Sequence, residues 1–354
     1  MSLGVQPKGE RVRMFVIQSV IEKRADIVNR TAAKFKITRQ GVHQHINRLR
    51  DQGAISVSGT RRNPRYALVP IEKAMRRFEL TPGIAEHDVW EDFVEPMVRA
   101  LPSNVKRIWN HAFTEMFNNA IDHSESATAL VTIERTAMST SIHIDDEGVG
   151  IFRKIQREFD LEDERHAIFE LSKGKLTTDP RNHSGEGIFF TSRMLDLFTI
   201  LSGELYFSHN HNYENDWLLD GGKPSSGTTV SMALNNHSSR TTKRIFDQYS
   251  GEDGDYGFNK TVIPVDLANF GADALVSRSQ AKRVLARVNL FERVVFDFNG
   301  VDEIGQAFAD QIFRVYASEN PAIQLTCINT TPAVANMIRR VTAGGADSST
   351  GIID

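Results

Sequence analysis

The chain has 354 residues, of which 40% are hydrophobic and 25% charged, with a net charge of −3. That composition excludes a disordered or low-complexity protein and allows two or three domains. A single cysteine, Cys327 in the apolar run IQLTCIN, excludes an internal disulfide and reads as a buried strand residue. There is no apolar run long enough for a membrane span and no signal-peptide core at the start, so a cytoplasmic protein without membrane contact is expected.

The net charge hides an asymmetry. Residues 1–70 hold 14 basic against 4 acidic side chains, a net +10, and the rest holds 28 against 41, a net −13. A basic head on an acidic body points to a polyanion partner for the head alone. Apolar spacing predicts helices over 10–23, 26–35 and 37–53. Thr38 can cap the third, Val42, Ile46 and Leu49 form its buried stripe, and Gly53 ends it. Residues 54–69 then alternate as two strands around a turn rich in Gly, Arg, Asn and Pro.

This order resembles a winged helix-turn-helix, in which the third helix enters the DNA major groove and the hairpin is the wing. The resemblance makes 1–70 a double-stranded-DNA-binding domain. Arg39, Gln40, His43, Gln44 and Asn47 would face outward, able to bond base edges or phosphates, and Arg61, Arg62 and Arg65 of the wing would meet phosphates.

Residues 71–105 read as a helical connector, with EHDVWEDFVEPMVRAL amphipathic. Next comes FTEMFNNAIDHS (113–124). On a helix Glu115 and Asn119 share a face, while Phe113, Met116, Phe117, Ala120 and Ile121 supply an apolar side. A buried polar stripe is costly unless something satisfies it, so this stripe faces a ligand. Three further signals follow: DDEGVGI (145–151) after an apolar strand, HSGEGIFFTSRML (183–195) opening a helix, and SSGTTVSMAL (225–234) starting a strand.

Together these resemble the GHKL ATPase family, which includes gyrase B subunits, heat-shock chaperones and histidine kinases. One such motif is weak, but four in order are specific. The resemblance makes 106–235 an ATP-binding domain of the Bergerat fold, an α/β sandwich with a mixed sheet under helices. It implies that Glu115 acts on the attacking water or acceptor hydroxyl and that Asn119 binds Mg²⁺. It implies that Asp146 accepts the adenine amine, with Gly148 and Gly150 allowing close approach. It places Ser184, Gly185, Glu186 and Gly187 at the phosphates and Thr228 on adenine or its bridging water. The segment 152–183 would be a lid, from which Lys173 and Lys175 reach the γ-phosphate. His123, His183, His209 and His211 have no metal-ligand spacing, so no zinc site is expected.

The polar stretch 236–258 reads as a linker and 343–354 as a flexible tail. Between them, strand and helix patterns alternate over 259–342 and resemble the STAS fold of anti-sigma-factor antagonists, a docking module for a protein partner. The family's phospho-acceptor loop aligns with Asp302-Glu303-Ile304-Gly305, which has no hydroxyl.

The expected architecture is therefore multidomain: a winged helix, a Bergerat-fold unit and a STAS-like α/β domain. The expected function is a DNA-binding regulator switched by ATP and Mg²⁺. A homodimer is expected too, because many GHKL members dimerise and winged helices often read paired half-sites. The alternative is an anti-sigma-type serine/threonine kinase acting on a partner protein. A nucleotide sensor in stress or phage defence is a third reading. The dimerisation helix pair of two-component kinases and the transducer segments of topoisomerases are absent from the sequence.

Overall fold

The computed structural model describes residues 8–21, 26–60, 63–177, 185–211, 215–250, 257–268, 274–343 and 351–352. It is a multidomain α/β protein, with three sheets among the described residues. Helices α1 (Lys8–Ile21), α2 (Ile27–Phe35) and α3 (Arg39–Asp51) precede the hairpin β1 (Ile55–Thr60) and β2 (Asn63–Leu68). The Thr38 side chain accepts the Gly41 N–H at 3.1 Å and so caps α3. Val42, Ile46 and Leu49 are buried against Val16, Ile17 and Val20 of α1. Met138 from the next unit completes this small core.

The expected helical connector starts as a strand. β3 (Glu72–Glu79) pairs antiparallel with β4 (Thr128–Arg135) and forms one edge of a five-stranded sheet. Its alternation was masked because Arg76 stands in register between Ala74 and Phe78. The Arg76 guanidinium lies over Phe93 at 4.7 Å and pairs with Asp92, so its stem packs where an apolar residue was expected. Two short helices follow, α4 (Glu86–Val89) and α5 (Glu95–Val98), joined by a π turn at Trp90–Val94. Pro96, just inside α5, has no N–H for the ladder, and widening the preceding turn accommodates it.

Helix α6 (Ser103–His123) buries Trp109, Phe113, Met116 and Phe117 on the sheet. Strands β4 and β5 (Ser139–Asp146) alternate buried and half-buried along their whole length, so one sheet face carries the core. Helices α7 (Ile151–Glu158) and α8 (Glu164–Lys173) follow, then α9 (Gly187–Met194) and the long hairpin of β6 (Leu197–Asn210) and β7 (Asn215–Asn235). The strand order is β3-β4-β5-β7-β6, and every pairing is antiparallel. The expected mixed sheet is thus corrected: β7 turns back from β6 and inserts beside β5, which requires opposed directions.

The expected linker also holds an element, α10 (Thr242–Tyr249), capped by Thr241. Ile245, Phe246 and Tyr249 give this polar segment a narrow apolar stripe, and Phe246 sits 4.2 Å from the Phe190 ring.

The C-terminal unit is a parallel sheet in the order β11-β10-β9-β8. Chain order runs β8 (Lys260–Pro264), α11 (Arg278–Leu285), β9 (Arg293–Asp297), α12 (Gln306–Asp310), a π turn, α13 (Ala317–Glu319), β10 (Gln324–Ile328), α14 (Pro332–Thr342) and β11 (Gly351–Ile352). Ser277 and Gln280 form a capping box on α11. Part of the expected flexible tail is ordered, because Gly351 and Ile352 pair with Thr326 and Cys327 at the sheet edge. Cys327 is fully buried, and burial pushes its thiol up to about 12, so it is inert.

The central and C-terminal units share one apolar core running from Val89 to Val341. Phe258 is the joint, with ring centroids 4.6 Å from Phe189 and 5.2 Å from Phe291. A buried ion cluster lies on the same seam. Lys173 is 1% exposed, and its ammonium donates to Glu170 at 2.6 Å and to the carbonyls of Arg283 and Ala286 at 3.1 and 3.0 Å. Arg287 donates to Glu170 at 3.0 Å and to the carbonyls of Gly174 and Lys175. Burial pushes Glu170 upward, but its bond with His166 and the charges of Lys173 and Arg287 outweigh this and hold it below the usual carboxylate range. Burial pushes Lys173 down to about 8 despite Glu170.

Removing Glu170 strands the buried Lys173 ammonium and takes a partner from the half-buried Arg287, so Glu170→Ala is expected to cost about 3–5 kcal/mol in urea unfolding. Between pH 8 and the ordinary lysine range near about 10.4, the unfolded chain binds the Lys173 proton that the folded one has released. Stability therefore gains from Lys173 as pH rises through that window. A difference titration of Lys173→Met against the wild type measures it, and parallel curves would contradict it.

Candidate functional site

A pocket of about 240 Å³ opens between α6, the sheet and the start of α9. α6 presents Glu115, Asn119 and His123 at successive turns, with Met116 and Ala120 beside them. Ile144, Ile200 and Val230 form an apolar floor from the sheet, and Leu171, Leu176 and Ile188 close the side.

Asp146 sits at the end of β5, 9% exposed. Its Oδ1 accepts N–H bonds from Gly148 at 2.9 Å and Thr228 at 3.2 Å. Burial raises its pKa, those two N–H bonds oppose the rise, and the neighbouring Asp145 adds to it. Thr228 faces Asp146 across the β5–β7 ladder, and its hydroxyl accepts the Ile151 N–H at 3.0 Å.

The glycines here are required by space. A Cβ on Gly148 would collide with the Ser124 carbonyl, and one on Gly227 with the Asp146 carbonyl. Gly150, at φ 84°, precedes α7, and a Cβ there would lie 2.7 Å from the Ser202 hydroxyl. Gly185, at φ 71°, packs on the Leu176 backbone. Gly187 opens α9 directly on the Glu115 carboxylate, which would have to move aside for a methyl.

Glu115, Asn119, Asp146, Gly185, Gly187 and Thr228 thus line one cavity. Gly148 and Gly150 hold the loop beside it, and Glu186 occupies the N-cap position of α9. Ser184 lies outside the described residues, as do Arg61 and Arg62 of the hairpin turn. Arg39, Gln40, His43, Gln44, Asn47 and Arg65 are all exposed.

The two lysines expected at the pocket are placed elsewhere. Lys173 is consumed by the seam cluster, and Lys175 donates to the Leu290 carbonyl at 2.9 Å with its ammonium over Phe291. The reason is that α8 is not a free lid. His166 to Lys173 are all buried, packed between the two sheets, and only 178–183 of the expected lid lies outside the described residues.

Sequence reasoning missed Lys154, which lines the pocket one turn into α7 and pairs with Glu125 at 3.2 Å. Its signal was its place four residues after Gly150 on the helix that the glycine turn opens. The histidines divide as well: His123 lines this pocket, and His209 and His211 line another. Among the described residues no three His, Cys, Asp or Glu side chains are grouped to hold a metal.

Chemically, the pocket offers flat apolar walls, a fixed carboxylate acceptor and close backbone approach. At its far end it offers an amide carbonyl beside a carboxylate. The walls and the Asp146 acceptor suit a flat heterocycle that carries a hydrogen-bond donor.

Residues 280–335 match the family described as a STAS-like domain of unknown function (DUF4325), a span from within α11 into α14 that includes β9 and β10. No curated protein matches the chain. No helix among the described residues is long and apolar enough to cross a membrane.

The packing of Gly187 on Glu115 is testable. In Gly187→Ala the Glu115 carboxylate must move aside, at a cost set by how freely that side chain gives. The cost should shrink in the Glu115→Ala background, where the clashing carboxylate is gone. Equal costs in both backgrounds, by urea unfolding, would refute the contact.

Proposed function

We propose that this chain is an adenine-nucleotide-dependent regulator. Its N-terminal helices bind double-stranded DNA, and its STAS-like domain docks a partner or transmits the nucleotide state. The observation that carries the reading is the convergence of Glu115, Asn119, Asp146, Gly187 and Thr228 on one cavity from four separate stretches of sequence. These are the positions that a GHKL resemblance requires.

The residues fit the group. The apolar floor would take the adenine ring. Asp146 has one carboxylate oxygen engaged by two N–H groups and would accept the adenine amine with the other. N–H groups at Gly185–Gly187 would receive phosphates at the start of α9. When bound, Mg²⁺-ATP supplies the phosphoanhydride that is cleaved. Asn119 offers a hard carbonyl oxygen to the cation, which needs no cage of protein carboxylates if phosphates complete its shell. Glu115 would orient and deprotonate the water. Lys154 lines the wall and would serve as a cation for the phosphates, the role expected of Lys173 and Lys175.

Two features support regulation. Leu171 and Leu176 line the pocket, while Lys173, Gly174 and Lys175 between them bond to the C-terminal unit. A shift at the pocket wall is therefore felt at the seam. At the N-terminus, α3 exposes the five side chains expected to read DNA, beside the exposed Arg65. A homodimer on paired half-sites is the matching assembly.

The test uses γ-labelled ATP with Mg²⁺, following free phosphate and protein-bound label separately. We expect free phosphate that disappears in Glu115→Ala. Label on a partner protein would instead make the chain a serine/threonine kinase, and binding without either product would remove the catalytic role of Glu115. Because burial raises the Asp146 pKa, nucleotide affinity should begin to fall, as pH is lowered, above the ordinary aspartate range near about 3.9. Asp146→Asn should flatten that profile. For DNA, Arg65→Ala should weaken binding across sequences and reduce the log–log salt slope by about 1. An unchanged slope would remove Arg65 from the interface.

A further inference from the structure

The chain that leaves α8 is held by the C-terminal unit, and it in turn holds the glycine turn that opens α9. We propose that Arg287, on the loop after α11, is a positioning residue for the phosphate end of the nucleotide site. The inference rests on the nucleotide reading and deepens it. Among the described residues that line the pocket none comes from the C-terminal unit, so that unit acts on the site through the segment it anchors.

A helix leaves its last carbonyls without intrahelical partners. At the end of α8 the carbonyls of Lys173, Gly174 and Lys175, in succession, accept from side chains of the C-terminal unit. The Thr261 hydroxyl donates to the first at 2.7 Å, and the Arg287 guanidinium to the second at 3.2 Å and to the third. The same guanidinium donates to Glu170 at 3.0 Å, so both arms of its fork are engaged. Arg287 itself holds φ 62°, a backbone that glycine would adopt more easily. What an arginine adds there is the fork.

Leu176 follows directly and lines the pocket. The Lys175 carbonyl and the Leu176 N–H belong to one planar peptide group. Arg287 holds its oxygen, and its N–H donates to the Gly185 carbonyl at 3.2 Å. A Cβ on Gly185 would collide with the Leu176 backbone, so the two segments are in close contact. Gly185 and Gly187 line the pocket at the start of α9, where phosphates would be received. A single peptide group thus stands between Arg287 and the phosphate turn.

The base end is built differently. Asp146, Thr228, Ile144, Ile200 and Val230 come from β5, β6 and β7, and Asp146 is fixed by the N–H groups of Gly148 and Thr228. Those bonds do not involve residues 173–176. Losing the Arg287 fork therefore frees the phosphate end and leaves the base end in place.

The test compares Mg²⁺-ATP with adenosine, which reaches only the base end, by calorimetry and by amide hydrogen exchange on the full chain. In the wild type we expect ATP to slow exchange across 283–290 and adenosine to leave it unchanged, because coupling between two sites is reciprocal. Arg287→Met should bind ATP at least about tenfold more weakly, which is about 1.4 kcal/mol, with adenosine affinity little changed. Arg287→Lys, a point charge that cannot hold Glu170 and the carbonyls together, should fall between Arg287→Met and the wild type. In both variants the amides of 185–188 should exchange faster without ligand. Ile338→Val, in the buried stripe of α14, should keep the wild-type ratio of ATP to adenosine affinity. A wild type that binds no ATP removes the nucleotide reading, and this inference with it. A wild type that binds ATP overturns the inference alone if exchange across 283–290 does not respond. Folded Arg287 variants that keep the wild-type ratio of the two affinities overturn it equally. If neither variant folds, the wild-type exchange decides.

Discussion

The rest of the structure turns on three charges gathered at one seam, two of them buried. Glu170 and Lys173 are almost completely covered, and Arg287 reaches them from the other unit. Each ion removed from water costs several kcal/mol unless partners replace the solvent. The replacements come from both sides: α8 supplies Glu170, and the end of α11 supplies the Arg283 and Ala286 carbonyls. Neither unit can satisfy the cluster by itself. Together with the Phe189, Phe258 and Phe291 stack, this binds the central and C-terminal units into a single core.

That constraint fixes the chemistry around it. Because α8 is anchored, the wall formed by Leu171 and Leu176 has a defined position relative to α6 and β5. The candidate pocket is therefore bounded on one side by a segment that answers to the C-terminal unit. The pocket lies against the seam, whereas the N-terminal helices join the rest through the contact of Met138 with their core. Loosening or tightening the seam would move the pocket wall and reach the N-terminal helices only through the antiparallel sheet.

Local sequence determined a good deal. The Val42, Ile46, Leu49 stripe and the Thr38 cap place α3 and its exposed face, because capping and periodicity act within a few residues. Glu115 and Asn119 four apart, Asp146 at a strand end, and glycines such as Gly148, Gly185 and Gly227 where a Cβ would strike the backbone mark the candidate pocket, because their requirement is stereochemical. The parallel C-terminal unit was legible from its alternating strands and helices, and the family match falls within it.

Tertiary structure decided the rest. Lys173 and Lys175 read as lid lysines for a γ-phosphate until α8 packs against the second sheet, since no local pattern says which lysine will find a buried glutamate 3 residues away and two carbonyls more than 100 residues on. Arg76 hid a strand because its inward position is filled by a stacked guanidinium. The polar composition of 236–258 hid α10, whose few apolar residues matter only because Phe189 and Phe190 await them. The hold of Arg287 on the Gly174 and Lys175 carbonyls has no motif at all. Its two sides come from separate units, and long-range packing alone brings them face to face.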